Sequence, residues 1–236
     1  MKRWKFYKDN ILRYLNKNSK ILVIGASSKE AEIFFELGYK NVIFGYYGEK
    51  EYEQFKNLSS YQSHETLQID CRKINFPDEH FDYAFTHATI HHIDLPHLAI
   101  TEMYRVSKFG TLIIEGNDSF IMRMAHKFGF SENFEISSTL KNGQGGLLDT
   151  GIPNYIYRWT ENEIFKLLNS YKPQIIHKID FLYANDMENL SLELNYNKKL
   201  IKKTLSKLLF LFFLVFKKQQ NLMSIYIDKK KSTDRF

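Results

Sequence analysis

Polar residues follow several short apolar runs of this 236-residue chain, at the points where predicted strands end. They are Gly25-Ala26-Ser27, Tyr46, Asp70-Cys71, Thr86-His87 and Glu115-Gly116. An open parallel sheet binds ligands at the carboxyl ends of its strands, so these residues form one candidate ligand site. The small residues after the first strand let a ligand approach the backbone closely. The same turn also suits any tight strand-to-helix connection, and spacing alone leaves both interpretations open.

The elements that position these residues alternate along the first half of the chain. Apolar residues at helical spacing predict a first amphipathic helix: Trp4, Tyr7, Ile11, Tyr14 and Leu15. Apolar runs predict strands at residues 21–25, 41–46, 66–70, 81–86 and 111–115. Between them, helices are predicted from Ser27 or Ser28 to Gly38, over residues 50–58, and from Pro96 to a terminating Gly110. This order predicts an α/β fold, a doubly wound parallel sheet with helices on both faces.

The alternation breaks after residue 116, where a long segment rich in Asn, Ser, Gly and aromatic residues begins. Such an interruption predicts an insert after strand 5 that covers a substrate. Thr160 and Glu163 form a capping box that begins a helix, and residues 175–183 predict a strand. A helix over 198–218 and a strand over 222–228 complete a mostly parallel, seven-stranded sheet.

Composition limits the class of protein. Hydrophobic residues make up 44% of the chain and charged residues 25%, which excludes a disordered chain, a collagen-like fibre and a polytopic membrane protein. The single cysteine, Cys71, excludes an intramolecular disulfide and a cysteine-based metal cage, and no metal site is predicted. The net charge of +6 comes with lysines crowded in the C-terminal tail, away from the predicted site, so nucleic acid is not the expected partner.

An ordered set of short motifs spans residues 67–115, including Ile69-Asp70-Cys71, Phe76-Pro77-Asp78, the His91-His92 pair and Lys108-Phe109-Gly110. This set resembles the core of class I S-adenosylmethionine-dependent methyltransferases. The resemblance implies their Rossmann-like fold, S-adenosylmethionine as the cofactor, and methyl transfer as the activity. It divides the single domain into a cofactor-binding half (1–116), an acceptor-side insert (117–195) and a C-terminal helix and strand (196–236).

The resemblance assigns the cofactor-binding residues by position. Gly25, Ala26 and Ser27 are expected to face the methionine and ribose of the cofactor. Asp70 is expected to accept a hydrogen bond from the adenine amino group, beside the backbone amide of Cys71. Thr86 and His87 are expected to border the sulfonium.

Two motifs depart from the family pattern. The first motif lacks its usual acidic residue and two of its glycines, with Val23, Ser27 and Lys29 in their places. The acidic residue that binds the ribose hydroxyls is replaced by Tyr46 or Tyr47. The departures keep a second hypothesis open, a non-catalytic protein of the same fold that binds or scaffolds. A dinucleotide-dependent oxidoreductase is disfavoured, since the chain lacks the Gly-x-Gly-x-x-Gly motif.

Methyl transfer to oxygen usually needs a general base, and a neutral imidazole suits that role. His87 and His91 are the predicted catalytic residues, with a packed, hydrogen-bonded histidine as the alternative at each position and the preferred interpretation of His92. Asp149 and Arg158 of the insert are predicted to contact substrate. Asp149 is equally compatible with a turn, and Arg158 with a surface salt bridge.

Residues 146–170, with Pro96-His97 and Thr101-Glu102-Met103-Tyr104, resemble a bacterial branch of the superfamily associated with surface-glycan biosynthesis. This implies a small-molecule or glycan-precursor acceptor in polysaccharide biosynthesis, methylated on oxygen or nitrogen. The apolar stretch from Leu208 to Phe216 is flanked by lysines and is too short to span a bilayer. It is either a buried helix or a peripheral contact with the inner face of the membrane. The expected location is cytoplasmic.

Overall fold

Seven strands and five α-helices are defined within the part of the chain that the computed structural model describes, residues 3–49, 52–53, 64–129, 131–136, 146–186, 212–213 and 215–236. The strands are β1 (Ile21–Ile24), β2 (Val42–Tyr46), β3 (Glu65–Gln68), β4 (Phe81–His87), β5 (Ser107–Gly116), β6 (Ile175–Ala184) and β7 (Leu222–Asp234). The helices are α1 (Arg3–Tyr14), α2 (Ser28–Glu36), α3 (Pro96–Val106), α4 (Phe120–Lys127) and α5 (Glu161–Tyr171). Most of the predicted helices 50–58 and 198–218 lies outside the described residues.

The strands form one sheet in the order β3-β2-β1-β4-β5-β7-β6. Strand β7 pairs antiparallel with both of its neighbours, and the pairs from β3 through β5 are parallel. The predicted mostly parallel, seven-stranded α/β sheet is thereby confirmed. The strand order reverses between β1 and β4, which opens a crevice at their carboxyl ends.

Both faces of the sheet are buried. Alternate residues of β1 belong to different apolar cores, with Leu22 and Ile24 in one and Ile21 and Val23 in the other. The first core also holds residues of α3 and α5, and the second holds residues of α1 and α2. Because successive side chains of a strand point to opposite faces, helices cover the sheet on both sides. Burial on both faces explains why β1 is an uninterrupted apolar run.

The connection from α3 to β5 differs from the sequence prediction. Gly110 does not end a helix, because α3 ends at Val106 and β5 begins at the next residue, Ser107. Gly110 lies inside β5, where an added Cβ would lie 2.7 Å from the Ile227 carbonyl oxygen of β7. The glycine therefore permits close approach of the antiparallel neighbour, a role that a local helix-termination signal does not distinguish.

Helix α1 packs on residues that come much later in the chain. Ser224 of β7 donates a hydrogen bond to the buried Asn10 side chain over 2.6 Å. The Tyr14 ring stacks on Tyr226, with centroids 4.3 Å apart. These contacts fix the first helix to β7 on the face of the sheet that also carries α2.

The C-terminal end of the segment after β5 returns to the end of that strand. The Trp159 amide donates to the Gly116 carbonyl over 2.8 Å, and the Asp118 amide donates to the Trp159 carbonyl over 2.9 Å. Thr160 and Glu163 form the predicted capping box at the start of α5. Among the described residues, none of the helices has the length and apolar character needed to cross a bilayer.

Candidate functional site

A cavity of about 340 Å³ opens at the carboxyl ends of β1 and β2. Its walls come from the turn after β1, the ends of β2 and β3, the loop after β4 and the segment around residue 146. Five of the predicted cofactor-binding residues line it: Gly25, Ala26, Ser27, Tyr46 and Cys71. The predicted residues Asp70, Thr86, His87 and His91 do not contribute to its lining, whereas His92 does.

The turn after β1 requires glycine at its first position. Gly25 has a φ of +69°, and an added Cβ would lie 2.2 Å from Cγ2 of Thr89. The Thr89 hydroxyl donates to the Gly25 carbonyl over 3.1 Å, so the loop after β4 closes directly against this turn. The absent Cβ therefore admits the neighbouring loop, which in turn shapes the cavity wall.

Ser27 begins helix α2 through a capping box. Its hydroxyl accepts a hydrogen bond from the Glu30 amide, and the Glu30 carboxylate accepts one from the Ser27 amide over 2.5 Å. This arrangement satisfies two backbone donors at the helix start and fixes the direction of the chain beside the cavity. Ser27 thus has a local structural role in addition to its position in the cavity wall.

Tyr46 occupies the end of β2, where the family pattern has an acidic residue. Its side chain is buried, and its hydroxyl donates a hydrogen bond to the Ala26 carbonyl over 2.7 Å. The phenol therefore holds the turn after β1 in place while forming part of the cavity wall. Tyr47, next in the chain, also lines the cavity and accepts a hydrogen bond from Arg72 over 3.1 Å.

Asp70 lies beside the cavity, in an ion-pair network. Arg72 donates to the Asp70 carboxylate over 2.8 to 3.2 Å and to Asp94 over 3.0 Å. The hydrogen bonds from Arg72 hold the pKa of Asp70 below its ordinary value. Cys71 is buried, and burial raises the pKa of its thiol to about 12, so the thiol stays protonated. Arg72 was not selected from the sequence.

Thr86 and His87 are directed away from the cavity. The Thr86 hydroxyl donates to the Ile24 carbonyl over 3.1 Å. His87 is buried, with Nδ1 in contact with Glu30 and Nε2 accepting a hydrogen bond from Arg3 over 3.1 Å. Their backbones lie at the end of β4 as predicted, but both side chains have partners within the fold.

The 3₁₀ turn Ile90–His92 brings two histidines together with two glutamates. His91 Nδ1 lies 2.8 Å from the buried Glu115 carboxylate, which also accepts hydrogen bonds from the amides of Thr89 and Ile90. Glu135 of the insert lies 3.9 Å from His91 Nε2 and 3.4 Å from His92 Nε2. Sequence reasoning misses Glu135, since nothing local distinguishes it from the other acidic residues of the chain.

Charge and burial act in opposite directions on this group. Burial lowers the pKa of His91, but the charge of Glu115 and its hydrogen bond outweigh burial and raise that pKa overall. Burial would raise the pKa of Glu115, but His91 and the backbone donors lower it overall. For His92, burial and the charge of His91 lower the pKa. The pKa values of the neighbouring His91 and His92 are therefore shifted in opposite directions.

The two predicted substrate residues, Arg158 and Asp149, both belong to the insert after β5. Arg158 is not part of its lining; it donates to Asn133 over 3.1 Å and to the Glu132 carbonyl over 2.7 Å. Burial lowers the pKa of Arg158. Asp149 ends the 3₁₀ turn Leu147–Asp149, next to the cavity-lining Leu148, and its side chain is outside the described residues.

Comparison with known proteins agrees with this geometry. Residues 24–114 match the methyltransferase domain family, and no curated protein matches the chain. A Bacillus halodurans protein described as a candidate methyltransferase is 14% identical, with a TM-score of 0.54 and coverage of 97% of this chain and 98% of that chain. A SAM-dependent methyltransferase from Archaeoglobus fulgidus is 12% identical, with a TM-score of 0.57 and coverage of 95% and 94%.

A SAM-dependent methyltransferase from Aquifex aeolicus is 13% identical, with a TM-score of 0.50 and coverage of 93% of this chain and 88% of that chain. At these identities the similarity establishes the fold. The domain match runs from the last residue of β1 through most of β5, and it includes the turn after β1, strands β2 to β4 and the histidine pair. Residues 24–114 thus match a methyltransferase domain family, and the chain has the fold of S-adenosylmethionine-dependent methyltransferases, as predicted.

Proposed function

We propose that this protein transfers the methyl group of S-adenosylmethionine to a small-molecule acceptor. The observation that carries the proposal is the cavity at the ends of β1 and β2, most of whose lining residues lie within the methyltransferase match. The turn formed by Gly25, Ala26 and Ser27 brings backbone atoms to the cavity wall. A cofactor in this cavity has the loop after β4 on its other side, which is where an acceptor must approach in line with the methyl group.

Asp70 remains our candidate for recognition of the adenine amino group. A carboxylate has about four acceptor sites, and Arg72 already makes four hydrogen bonds to Asp70, one from its backbone amide and three from its guanidinium. A ligand donor at Asp70 would share or displace one of them. The fixed orientation of Asp70 reduces the entropy lost when the ligand binds. In this proposal Tyr46 supports the turn after β1, because its hydroxyl donates a hydrogen bond to the Ala26 carbonyl.

The acceptor side of the proposed site consists of His92, Glu135 and the insert. His92 and Leu148 both line the cavity, and Glu135 lies beside His92. We place His92 on the acceptor side because it lines the cavity, whereas His91 and His87 do not line it and pair with the buried Glu115 and Glu30. A hydroxyl or amine on a glycan precursor suits this polar edge, with Asp149 next to it in the chain.

The described end of the tail supports a peripheral membrane contact as part of the same proposal. Val215 is 74% exposed and Phe216 is 53% exposed, while Phe213 is buried. Exposed apolar residues beside Lys217 and Lys218 are the composition that favours an anionic membrane interface. Such a contact at the inner face of the membrane brings the protein to lipid-linked acceptors.

Titration calorimetry with S-adenosylhomocysteine and S-adenosylmethionine tests the proposal. We expect saturable binding at micromolar ligand, followed by transfer of labelled methyl from S-adenosylmethionine to members of a panel of sugar nucleotides and lipid-linked sugars. An absence of binding at about 1 mM ligand, which corresponds to about −4 kcal/mol, would overturn the enzyme assignment. Binding of both ligands with no transfer to any acceptor would favour the non-catalytic hypothesis.

A further inference from the structure

Three side chains with metal-ligating atoms converge beside the cofactor cavity. One ligating atom from each of His91, His92 and Glu135 lies within 4.8 Å of the other two. Two of these residues are consecutive in the 3₁₀ turn after β4, and the third comes from the insert after β5. The spacing of these residues does not predict the group, because only the fold brings Glu135 to the histidines.

The second nitrogen of each imidazole is held by a group that can only accept a hydrogen bond. His91 Nδ1 faces the Glu115 carboxylate at 2.8 Å, and His92 Nδ1 faces the Gly146 carbonyl at 3.3 Å. In the neutral imidazole this places the proton on Nδ1 and leaves the Nε2 lone pair directed toward Glu135. Metal-bound histidines show the same arrangement, with a carboxylate or carbonyl outside the ligand shell.

The separations fit metal ligands better than direct ion pairs. Charge-assisted hydrogen bonds have lengths of about 2.7–2.9 Å, whereas Glu135 lies 3.4 Å from His92 Nε2 and 3.9 Å from His91 Nε2. Bonds of about 2.1 Å to a tetrahedral zinc ion place neighbouring ligand atoms about 3.4 Å apart. The three ligand atoms lie within 4.8 Å of one another, so side-chain rotation has to bring them closer to reach this spacing around one ion.

We propose that His91, His92 and Glu135 bind a zinc ion. Two imidazoles and one carboxylate form a ligand set typical of catalytic zinc, with the fourth position open to water or substrate. Because His92 lines the cavity, the open position lies next to the proposed site of the methyl donor. The thiol of Cys71 is not among the ligating atoms that converge here.

A catalytic role for the ion rests on the proposed function, whereas zinc binding itself does not. An acceptor hydroxyl at the open position becomes more acidic and gives up its proton to solvent. Its oxygen then forms a bond to the methyl carbon while the bond from that carbon to the sulfonium breaks, and the electron pair of that bond stays on sulfur. The products are the methyl ether and S-adenosylhomocysteine, so no further co-reactant is needed.

The direct test measures zinc on the full-length protein after removal of metal with a chelator. Wild type is expected to bind one zinc per chain in equilibrium dialysis with elemental analysis. Glu135→Gln and His92→Ala are expected to bind zinc more than about 100-fold more weakly, since even residues outside the ligand shell affect metal affinity by about 10–100-fold. His126→Ala, a histidine outside this group, is the matched control and is expected to bind zinc as wild type does.

The visible spectrum of bound cobalt(II) depends on the coordinating residues, so it distinguishes a metal ligand from a residue with a purely structural role. The wild-type protein loaded with cobalt is expected to show the intense visible bands of a four-coordinate site, which Glu135→Gln removes. Unchanged circular dichroism of Glu135→Gln shows that the variant is folded. Zinc binding that is absent in wild type, or equal in wild type and both ligand variants, would overturn the metal site.

Calorimetry with S-adenosylhomocysteine on the metal-free protein separates this result from the proposed function. Cofactor binding without zinc binding would leave the methyltransferase proposal standing and would reject the metal site. Zinc binding without cofactor binding would do the reverse.

Discussion

The Tyr46 hydroxyl donates a hydrogen bond to the Ala26 carbonyl oxygen over 2.7 Å, which joins the end of β2 to the turn after β1. At the position where the resemblance predicts an acidic ligand-binding residue, this chain makes an interaction within the protein. It predicts that the cavity wall is fixed before the cofactor arrives.

Tyr46→Phe removes that hydrogen bond while keeping the ring. A buried hydrogen bond contributes about 0.5–1.5 kcal/mol, so we expect the dissociation constant of S-adenosylhomocysteine to rise about threefold to tenfold. Titration calorimetry measures the change. Tyr183→Phe, which removes a contact with Glu161 outside the cavity lining, is the matched control and is expected to leave affinity unchanged. Equal affinity for Tyr46→Phe and wild type would reject this role.

Gly25→Ala is expected to reduce both stability and cofactor binding. The left-handed backbone costs about 1–2 kcal/mol for a residue with a Cβ, and the new atom also meets Thr89 at 2.2 Å. Gly38→Ala has a similar positive φ with nothing within 4 Å of its Cβ, so urea denaturation of this control reports the backbone cost alone. The second substitution in Gly25→Ala/Thr89→Ala should recover part of the stability. No difference between the Gly25 and Gly38 variants would contradict the packing argument.

Asp70→Asn is expected to weaken S-adenosylhomocysteine binding about tenfold, because a hydrogen bond to a charged group contributes about 1.5–3 kcal/mol. Asp94→Asn is the control, since it also pairs with Arg72 but is not assigned to the ligand. We expect its affinity to stay within about twofold of wild type. Equal losses in calorimetry for both variants would indicate that the network acts through the position of Arg72.

Glu30 should make the free energy of unfolding depend on pH in the acidic range. Burial would raise the pKa of Glu30, but His87 and Ser27 outweigh burial and lower it from its ordinary value of 4.5. A lowered pKa in the folded state adds stability above the unfolded value, and that stability is lost as pH falls through the folded value. The free energy of unfolding should therefore fall more steeply below pH 4.5 in wild type than in Glu30→Gln.

Urea denaturation at a series of pH values checks this difference. Glu32→Gln on the same helix is the control, because Glu32 is exposed and pairs with Lys29 at the surface. Its pH profile should follow that of wild type closely. Parallel profiles for wild type and Glu30→Gln would show that Glu30 is not the titrating group.

The tail is expected to carry the protein to anionic vesicles. Leu211→Asp/Phe212→Asp places two negative charges in the apolar stretch and should abolish flotation with vesicles that contain phosphatidylglycerol. Leu95→Asp, at a residue 52% exposed elsewhere on the surface, is the control and should float as wild type does. Recovery of wild type and tail variant in the same soluble fraction would remove the membrane proposal.

Much of the sheet follows from local sequence. Strands β1 and β4 are buried on both faces, so they stand out as apolar runs, and the capping boxes at Ser27 and Thr160 mark the starts of α2 and α5. Gly110 was misread because a glycine after a helix is also compatible with a strand whose neighbour approaches closely. Local sequence signals predict which element forms, but they do not show which residues approach it in the folded protein.

The sequence predicts where the backbone of the site lies better than it predicts the directions and contacts of the side chains. Thr86 and His87 end β4 as expected, but their hydrogen bonds to Ile24 and Glu30 follow from side-chain directions that strand position alone does not give. Glu135 approaches the histidines from a separate segment, with no spacing rule to connect them. Distances in space, which decide the chemistry, come from how the insert packs.

The hydrogen bond between Asn10 and Ser224 joins residues 214 positions apart. During synthesis, the first helix leaves the ribosome long before its partner strand exists. A nascent chain that stops short of β7 leaves Asn10 without Ser224 and Tyr14 without the ring of Tyr226. Completion of the first helix's packing is thus a late event in biogenesis, and truncated products carry an exposed apolar helix face that chaperones and proteases can recognise.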